Sequence, residues 1–385
     1  MSVTPMELVT TAMASGGDAV ARDPEGKAVF VRGALPRERV RVSLLSDRAK
    51  YAVGRIEEVL EPSPDRIAPP CPEVARGCGA CQWQHIELST QRRLKSQFVV
   101  ESIERAKVDC PEPRAPVELE PWNFRTTINA AVHEGRAGFN RARSHDVVAV
   151  DSCRVAHPLL RDLLIDVRYP GARSVLLRCG ARTGERLAVT TPTRLDLALP
   201  DDLHPEYVHE LAAGLRWRIS ARSFFQTRAD GVDALAEVIG SAADELGAPS
   251  TAVDLYSGVG VFAGVLAARG WSVTAVEGSH SAAEDARVNL ATSAVTVVGT
   301  DVTTWTPGQV DLVVADPSRL GLGRAGVDTV TATGARRLVL VSCDAASLGR
   351  DAALLQAAGY TLSALTVVDL FPHTFRVEAV TVYDR

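Results

Sequence analysis

The chain has 385 residues, of which 46% are hydrophobic and 23% are charged, so composition alone excludes disordered, collagen-like and coiled-coil proteins. At about 100–200 residues per domain, this length predicts two or three domains. The net charge of −5 excludes a protein that is basic all over its surface, but it leaves room for a local basic face that binds nucleic acid.

No apolar run reaches the ~18–20 residues that a membrane span needs. The start of the sequence, residues 1–7, lacks the basic and apolar regions of a secretory signal. We therefore expect a cytoplasmic protein that has no membrane contact, and nothing in the sequence implies a protein partner.

The N-terminal part of the chain, residues 1–61, predicts a small β-barrel. Short runs of β-forming residues at 27–32, 38–43 and 51–56 alternate with Gly and Pro. A Pro-rich linker at 61–65 follows these runs.

A mixed α+β central domain is predicted over residues 62–215, and it contains a helix at about 88–106. From residue 216 to 385, helical segments alternate with apolar strands, which is typical of a parallel α/β sheet. This last domain is predicted to be Rossmann-like. Its strands are predicted at 251–256, 272–277, 295–298, 311–316, 337–342, 362–370 and 377–383, and helices are predicted at 281–290 and 347–358.

A glycine-rich loop follows the first of these strands, in the sequence Asp254-Leu-Tyr-Ser-Gly-Val-Gly260. Gly258 and Gly260 let the backbone turn tightly against a nucleotide, and Glu277 at the end of the next strand suits the two hydroxyls of a ribose. The loop also fits a loose dinucleotide fingerprint. The pattern therefore predicts a nucleotide site without choosing the nucleotide.

Polar side chains also end other strands of the predicted sheet. Asp316 follows the fourth strand, Cys343 follows the fifth, and Glu378 lies near the start of the last strand. If the last strand runs antiparallel, these residues converge with Asp254 and Glu277 on one cleft. A Cys beside a carboxylate is then a candidate nucleophile with a base, whereas a lone Cys is more often a small buried hydrophobe.

A second group of Cys residues lies earlier in the chain. Cys71, Cys78 and Cys81 are close in sequence, and Cys153 follows 72 residues after Cys81. Four such thiolates suffice to hold a tetrahedral zinc ion or an iron–sulfur cluster, and spacing alone does not decide between them. Cys110 and Cys179 lie outside this set and are predicted to be structural.

Basic and aromatic residues are mixed in two segments, at 122–125 and 136–145, and further basic residues decorate the predicted barrel. Those of the barrel are Arg37, Arg39, Arg41, Arg48 and Lys50. Cations combined with stacking groups suit single-stranded RNA. The alternative is an Arg-rich solvated surface, in a chain that has 42 basic residues of which only four are Lys.

Taken together, these segments resemble the motifs of the RNA uridine-5 methyltransferase family, which makes 5-methyluridine in tRNA or large-subunit ribosomal RNA. The segments that carry the resemblance are Asp254-Leu-Tyr-Ser-Gly-Val-Gly260, Asp316-Pro-Ser-Arg, Val341-Ser-Cys-Asp344, Asp369-Leu-Phe-Pro-His-Thr-Phe-Arg-Val-Glu378 and Ser223-Phe-Phe-Gln-Thr227. The resemblance covers nearly the whole chain. Its front looks like a TRAM domain, and its four Cys look like the [4Fe–4S] ligands of the ribosomal-RNA branch.

The resemblance implies a methyltransferase that uses S-adenosylmethionine, with Cys343 as nucleophile and Glu378 as general base. The residues that it places at the cofactor are Gln226, Tyr256, Gly258, Gly260, Glu277, Asp301 and Asp316. It implies that the helix near 90–106 packs back onto the catalytic domain. The expected reaction is methyl transfer to C5 of a uridine, with ribosomal RNA favoured over tRNA as the substrate.

The chain departs from the family pattern at several positions. Ser318 replaces a Pro, Asp344-Ala345 replaces Asn-Pro after the nucleophile, Val261 replaces an Asn, and Ala80 replaces a Gly. We expect the charge of Asp344 to oppose formation of the Cys343 thiolate. Two alternatives remain, a catalytically weak RNA-binding or assembly protein and an NAD-dependent oxidoreductase.

Overall fold

The computed structural model describes residues 5–193 and 197–385. Part of the segment on which the signal-peptide prediction rests, residues 1–4, therefore lies outside the described residues. In the two described ranges, no helix is both long enough and apolar enough to cross a membrane.

The N-terminal strands close into a barrel, in the order β1-β2-β3-β5-β4. They are β1 (Met6–Met13), β2 (Ala19–Arg22), β3 (Ala28–Arg32), β4 (Arg39–Asp47) and β5 (Tyr51–Glu61). The sequence predicted the last three but not β1 and β2. Alternate residues of β3 are buried, including Val29 and Val31, because successive side chains of a strand point to opposite faces.

The middle of the chain holds an antiparallel sheet in the order β10-β9-β6-β7-β8 and a separate β11-β12 hairpin. The strands are β6 (Thr127–His133), β7 (Arg136–Asn140), β8 (Val147–Ala149), β9 (Ser174–Cys179), β10 (Arg186–Thr191), β11 (Tyr207–Ala212) and β12 (Leu215–Ser220). The helices are α1 (Pro72–Ala75), α2 (Leu88–Arg105) and α3 (Arg161–Ile165).

The last part of the chain forms a Rossmann-like sheet in the order β15-β14-β13-β16-β17-β19-β18. Its strands are β13 (Thr251–Leu255), β14 (Ser272–Val276), β15 (Val295–Val298), β16 (Leu312–Ala315), β17 (Arg337–Ser342), β18 (Thr361–Val367) and β19 (Ala379–Asp384). The helices are α4 (Ala229–Asp244), α5 (Val261–Ala267), α6 (His280–Asn289), α7 (Gly323–Ala332) and α8 (Ala345–Ala357). The predicted α/β fold class, with a barrel before it, is confirmed.

Strands β13 to β17 run parallel, so their carboxyl ends meet at one edge of the sheet. Strand β19 pairs with β17 in the antiparallel sense, as expected. The sequence extended β18 to residue 370 and began β19 at 377, but residues 368–378 form a loop outside both strands. We call residues 368–378 the catalytic loop.

Helix α2 lies against α8, far from it in sequence. Gly349 of α8 faces the backbone of Ser102 so closely that a Cβ at this position would collide with the Ser102 carbonyl oxygen. Trp83, Phe98 and Ile103 are buried in the same core as Leu348 and Leu355. Helix α2 therefore packs on α8 of the last part of the chain rather than on the antiparallel sheet that follows it in sequence.

Candidate active site

Strand pairing brings Cys343 and Glu378 together. Ser342, the last residue of β17, pairs with Ala379, the first residue of β19. Because the two strands are antiparallel, the next residue of one and the preceding residue of the other are neighbours. Cys343 and Glu378 occupy these two positions, and the Glu378 side chain is only 2% exposed.

A cavity opens beside Cys343, and we call it the Cys343 cavity. Its walls come from the start of α8, from the catalytic loop, from α2, and from the turn between β1 and β2 of the barrel. The lining residues are Ser15, Phe98, Arg319, Cys343, Asp344, Ala345, Ala346, Phe375, Arg376 and Val377. The barrel therefore supplies part of the wall that faces the candidate nucleophile.

The electrostatics of this edge favour protonated groups. Burial raises the pKa of the Cys343 thiol to about 11, the charges of Glu378 and Asp316 add to the rise, and Arg319 opposes it. Burial and the charge of Asp316 hold the pKa of Glu378 well above its usual value. Burial also raises the pKa of Asp316 to about 7. Two neighbouring carboxyls in a poorly solvated site disfavour ionisation, so both pKa values lie above the usual range.

A second cavity lies beside the glycine-rich loop, and we call it the glycine-loop cavity. Its lining residues are Phe224, Phe225, Gln226, Val232, Tyr256, Ser257, Gly258, Val259, Val261, Phe262 and Asp316. The Gln226 side-chain amide donates to Asp316 Oδ2 at 3.3 Å. Asp316 lines this cavity and also acts electrostatically on Cys343, so it lies between the two cavities.

The backbone of the glycine-rich loop takes left-handed conformations at Tyr256, Gly258 and Gly260, with φ of 61°, 55° and 94°. A Cβ at Gly260 would lie 2.5 Å from the Leu290 side chain, so α6 packs directly on the loop. Glu277 accepts hydrogen bonds from the backbone N–H groups of Gly258 at 2.8 Å and Ser279 at 2.6 Å. Both contacts hold a carboxylate at the rim of the loop.

Polar groups in and behind this loop suit a nucleotide-like ligand. Ser257 Oγ is buried and has no hydrogen-bond partner among the described residues. Apolar walls from Phe225, Val261 and Phe262 can cover a purine, and Glu277 suits a ribose. The residues present therefore fit an adenosine-bearing cofactor.

Two predicted site residues have other surroundings than expected. Asp254 is fully buried, and its Oδ2 accepts from the Ala263 N–H at 2.8 Å in the first turn of α5; the prediction that it joins the cleft is wrong. Its carboxyl is instead an internal support of the loop, and burial holds its pKa well above the usual value. Asp301 is exposed outside both cavity walls, and it accepts from Thr303 N and Oγ1 at 2.8 and 2.6 Å.

The departures from the family pattern cause little disturbance. The Asp344 side chain caps α8 by accepting from Ser347 N at 2.8 Å. The sequence predicted that Asp344 would oppose formation of the Cys343 thiolate. The carboxylates that raise the pKa of Cys343 are instead Glu378 and Asp316. Ser318 is exposed in a turn in which its carbonyl accepts from Gly321 N at 2.8 Å. Val261 begins α5 and lines the glycine-loop cavity.

The four candidate metal ligands lie together. Cys71, Cys78, Cys81 and Cys153 line one cavity and are all free thiols. Among residues 5–193 and 197–385, no three His, Cys, Asp or Glu side chains converge closely enough to hold a single metal ion. What the described residues show is four thiols around one cavity.

Burial dominates the electrostatics of three of these thiols. It raises the pKa of Cys78 and Cys153 above the usual value and that of Cys81 to about 12. Thiol ligands bind a metal group as thiolates, so a group bound here would have to displace these protons.

Contacts from α2 and the loop before it hold the catalytic loop. Lys95 Nζ donates to Asp369 Oδ1 at 2.7 Å and to the Phe371 carbonyl at 2.8 Å; Lys95 and Asp369 are each 1% exposed. Gln91 Oε1 accepts from His373 N at 2.7 Å. At the root of the loop, Val368 N donates to the carbonyl of Glu378 at 2.9 Å.

Trp83 connects the thiol region, the barrel and the catalytic loop. Its backbone N–H donates to the His373 carbonyl at 2.8 Å, and its Nε1 donates to the Gly17 carbonyl at 3.2 Å. Trp83 lies two residues after Cys81. The thiol cavity is therefore linked, through a few bonds, to the loop that ends at Glu378.

Many of the arginines expected on an RNA-binding surface are paired with carboxylates. In the barrel, Arg37, Arg39 and Arg41 form ion pairs with acidic neighbours. In the central part, Arg136 pairs with Asp151 and Arg143 pairs with Asp18. These pairs favour the solvated-surface interpretation at these positions.

Some site residues were not predicted. Phe224 is 65% exposed although it lines the glycine-loop cavity. Ser15 and Arg376 reach the Cys343 cavity from opposite ends of the chain. The paired aromatics before Gln226 were a visible signal, but no local pattern marks Ser15 because its neighbours in the cavity are distant in sequence.

A Rossmann-like sheet whose glycine-rich loop borders a cavity that fits an adenosine-bearing cofactor is typical of methyltransferases. Here a neighbouring Cys–Glu pair lies at the same edge of the sheet. No family model matches the chain. A relative described as an uncharacterized RNA methyltransferase of Streptomyces coelicolor is 36% identical over 418 residues, covering 97% of this chain and 91% of the relative. The RlmD protein of Pectobacterium atrosepticum is a 23S rRNA (uracil(1939)-C(5))-methyltransferase. It is 31% identical over 416 residues, which cover 95% of this chain and 91% of the relative.

The chain therefore belongs to the RNA (uracil-C5) methyltransferase family, and it is an enzyme that uses S-adenosylmethionine. The solved structure of Pyrococcus abyssi tRNA (uracil-54, C5)-methyltransferase in complex with S-adenosyl-L-homocysteine superposes with a TM-score of 0.78. The match covers 98% of this chain and 99% of that one at 22% identity. At this identity the likeness shows a shared fold.

Proposed function

We propose that this enzyme methylates C5 of a specific uridine in 23S rRNA, in the cytoplasm. The observation that carries the proposal is the pairing of Ser342 with Ala379, which makes Cys343 and Glu378 neighbours. The RlmD relatives, at 30–31% identity, are named for this reaction on uracil 1939, which favours ribosomal RNA over tRNA.

In the proposed mechanism, the Cys343 thiol loses its proton to solvent and the thiolate attacks C6 of uracil. A Cys–C6 bond forms as the C5–C6 double bond opens, and the negative charge moves onto O4 as an enolate. C5 would then take the methyl group of the sulfonium, which would leave as a neutral thioether. Glu378 removes the C5 proton, the C5–C6 double bond re-forms and the Cys–C6 bond breaks. A raised pKa makes Glu378 a stronger base for this step than an exposed glutamate.

Bound S-adenosylmethionine would supply an electrophilic methyl group. We propose that Glu277 orients its ribose and that Gly258, Gly260 and Tyr256 shape the turn against it. Asp316 and Gln226 would hydrogen-bond the uracil edge as charge develops on O4. With a pKa of about 7, part of the Asp316 population is protonated at neutral pH, and its carboxyl O–H can donate a hydrogen bond. Asp301 is assigned a supporting position near the cofactor through its turn after β15.

We further propose that Cys71, Cys78, Cys81 and Cys153 hold a [4Fe–4S] cluster with a structural role. The shared cavity and the burial of Cys71, Cys81 and Cys153 support this assignment. The barrel, residues 1–61, is proposed to be a TRAM-like RNA-binding domain ahead of a central domain over 62–215 and a catalytic domain over 216–385. Anaerobic purification, iron analysis and visible absorbance spectroscopy test the cluster, and a protein that folds without iron would contradict it.

The first test incubates anaerobically purified protein with methyl-labelled S-adenosylmethionine and undermodified total RNA. We expect label in 23S rRNA as 5-methyluridine, and none with Cys343→Ala. Label confined to tRNA would move the proposal to that substrate. RNA binding without any methyl transfer would instead support the RNA-binding alternative.

A further inference from the structure

We propose that Arg319 and Arg376 form an anion site at the mouth of the Cys343 cavity, which binds a backbone phosphate next to the target uridine. This proposal rests on the proposed function, because it assumes an RNA substrate.

The two guanidinium groups come from different parts of the chain. Arg319 follows β16, and Arg376 belongs to the catalytic loop; both line the Cys343 cavity. The charge of Arg319 acts against that of the half-buried Arg376. Two cations are thus held in the wall of the cavity that contains the candidate nucleophile.

No carboxylate pairs with either group. In the part of the chain that the structure describes, the side chains of Arg319 and Arg376 have neither a hydrogen-bond acceptor nor an ion-pair partner. This contrasts with Arg37, Arg39 and Arg41 of the barrel, all of which are paired. Like charges gathered without a counter-ion are unfavourable, and a bound anion relieves the repulsion.

The acidic side chains around the cavity are placed elsewhere. Asp344 lines the same cavity, but its carboxylate caps α8 by accepting from Ser347 N. Glu378 and Asp316 act on Cys343, and neither lines this cavity. An anion carried by the ligand that enters the Cys343 cavity can therefore meet both guanidinium groups.

A phosphodiester has the right chemistry. Arg binds phosphate oxygens through paired N–H groups, and such charge-assisted bonds are about twice as strong as neutral ones. A base that leaves its stack to reach an enzyme carries its flanking phosphates to the mouth of the pocket. Phosphate contacts fix the position of the nucleic acid, whereas base contacts specify it.

The test pairs protein variants with neutralised RNA. The probes are a short 23S rRNA fragment that the wild type methylates and two copies of it, each with one neutral methylphosphonate beside the target uridine, on its 5′ or its 3′ side. The proteins are wild type, Arg376→Gln, Arg319→Gln and the control Arg336→Gln. Arg336 lies before β17, at the opposite edge of the sheet, and pairs with Asp311.

For the unmodified RNA we expect Arg376→Gln to raise KM about tenfold and to lower the salt dependence of binding by about one charge. Neutralising one flanking phosphate should cost the wild type a similar factor and should cost Arg376→Gln nothing further. Arg336→Gln should behave as wild type. Arg319→Gln keeps the test valid if Arg376→Gln does not fold.

Independent, additive losses at both phosphates would overturn the anion site, because no shared contact would then exist. Unchanged KM in Arg376→Gln and Arg319→Gln would overturn it too. Failure of the wild type to methylate any RNA fragment would instead contradict the proposed function. The wild type is assayed first, so this failure is distinguished from an effect of the variants.

Discussion

At the scale of single residues, the antiparallel last strand places the proposed base beside the proposed nucleophile through backbone pairing. Cys343 follows the parallel strand β17, and Glu378 precedes the antiparallel strand β19. The register of the sheet therefore fixes the end of the catalytic loop at Glu378, while contacts from α2 hold the rest of that loop. Such placement limits the freedom that the two reacting groups must lose during catalysis.

Replacing the base should stop the reaction after methyl transfer. In Glu378→Gln the isosteric amide cannot take the C5 proton, so the Cys–C6 bond cannot break. We expect turnover to fall on the order of 100–10,000-fold, while a methyl-labelled RNA–protein adduct accumulates. Denaturing gel electrophoresis detects the adduct, and Cys343→Ala, which cannot form it, is the control. Loss of activity without any adduct would contradict the assigned role.

The environment of Cys343 should be visible in its pH dependence. Because burial and nearby carboxylates raise the pKa of its thiol to about 11, the thiolate fraction is small at neutral pH and grows with pH. Alkylation by iodoacetamide should therefore accelerate about tenfold per pH unit between pH 7 and 10. Peptide mass spectrometry follows the labelled residue. A plateau of the alkylation rate below pH 9 would show that the pKa of the Cys343 thiol is not raised.

At the scale of elements, α2 and the catalytic loop form one unit although they are far apart in sequence. Lys95 and Asp369 are both buried and bonded to each other, and Arg92 adds a second bond to Asp369 at 3.1 Å. Burying charges is costly unless they are paired. Removing one partner leaves the other as an unpaired charge in the low-dielectric interior. This clamp is expected to hold the loop that ends at Glu378.

Lys95→Met should weaken the clamp and slow the last step of the reaction. We expect a loss of about 3 kcal/mol in the free energy of unfolding, and slower release of the RNA adduct because Glu378 is displaced. Urea unfolding and the adduct assay measure the two effects. The double variant Lys95→Met/Asp369→Leu removes both charges and should regain stability but not turnover. Normal turnover in the double variant would show that the clamp does not position the base.

Much of this edge follows from sequence because parallel sheets obey simple rules. The loop at Gly258 and Gly260, and the pairing that unites Cys343 with Glu378, both depend on strand order and direction, which apolar runs reveal. The contact of Lys95 with Asp369 could not be predicted, because no periodicity links a helix to a loop so distant in sequence. Asp254 was misassigned for a related reason. The sequence pattern of a strand does not show whether a carboxylate faces a cleft or a helix.

At the scale of the whole molecule, the barrel is part of the catalytic edge. The turn between β1 and β2 contributes Ser15 to the Cys343 cavity, and Gly17 contacts the Phe375 ring. A Cβ at Gly17 would lie 2.5 Å from Phe375. The Trp83 indole bonds to the Gly17 carbonyl from the other side.

Two glycine variants can separate barrel docking from simple backbone strain. Gly17 and Gly26 have similar φ of 86° and 84°, but a Cβ at Gly26 meets nothing within 4 Å. Gly17→Ala and Gly26→Ala should therefore each cost about 1–2 kcal/mol of strain. Only Gly17→Ala should also lower kcat for methyl transfer, by displacing Phe375. Equal kcat values in the two variants would show that the barrel turn does not shape the cavity.

The contact of the barrel turn with Phe375 has a further consequence for how RNA is read. If the barrel binds RNA as proposed, the contacts of Gly17 with Trp83 and Phe375 hold its RNA-binding surface at a set distance from Cys343. The enzyme would then accept a uridine only at that distance and angle from the bound RNA element. Selection among the many uridines of a large RNA would follow from its three-dimensional shape more than from the bases beside the target.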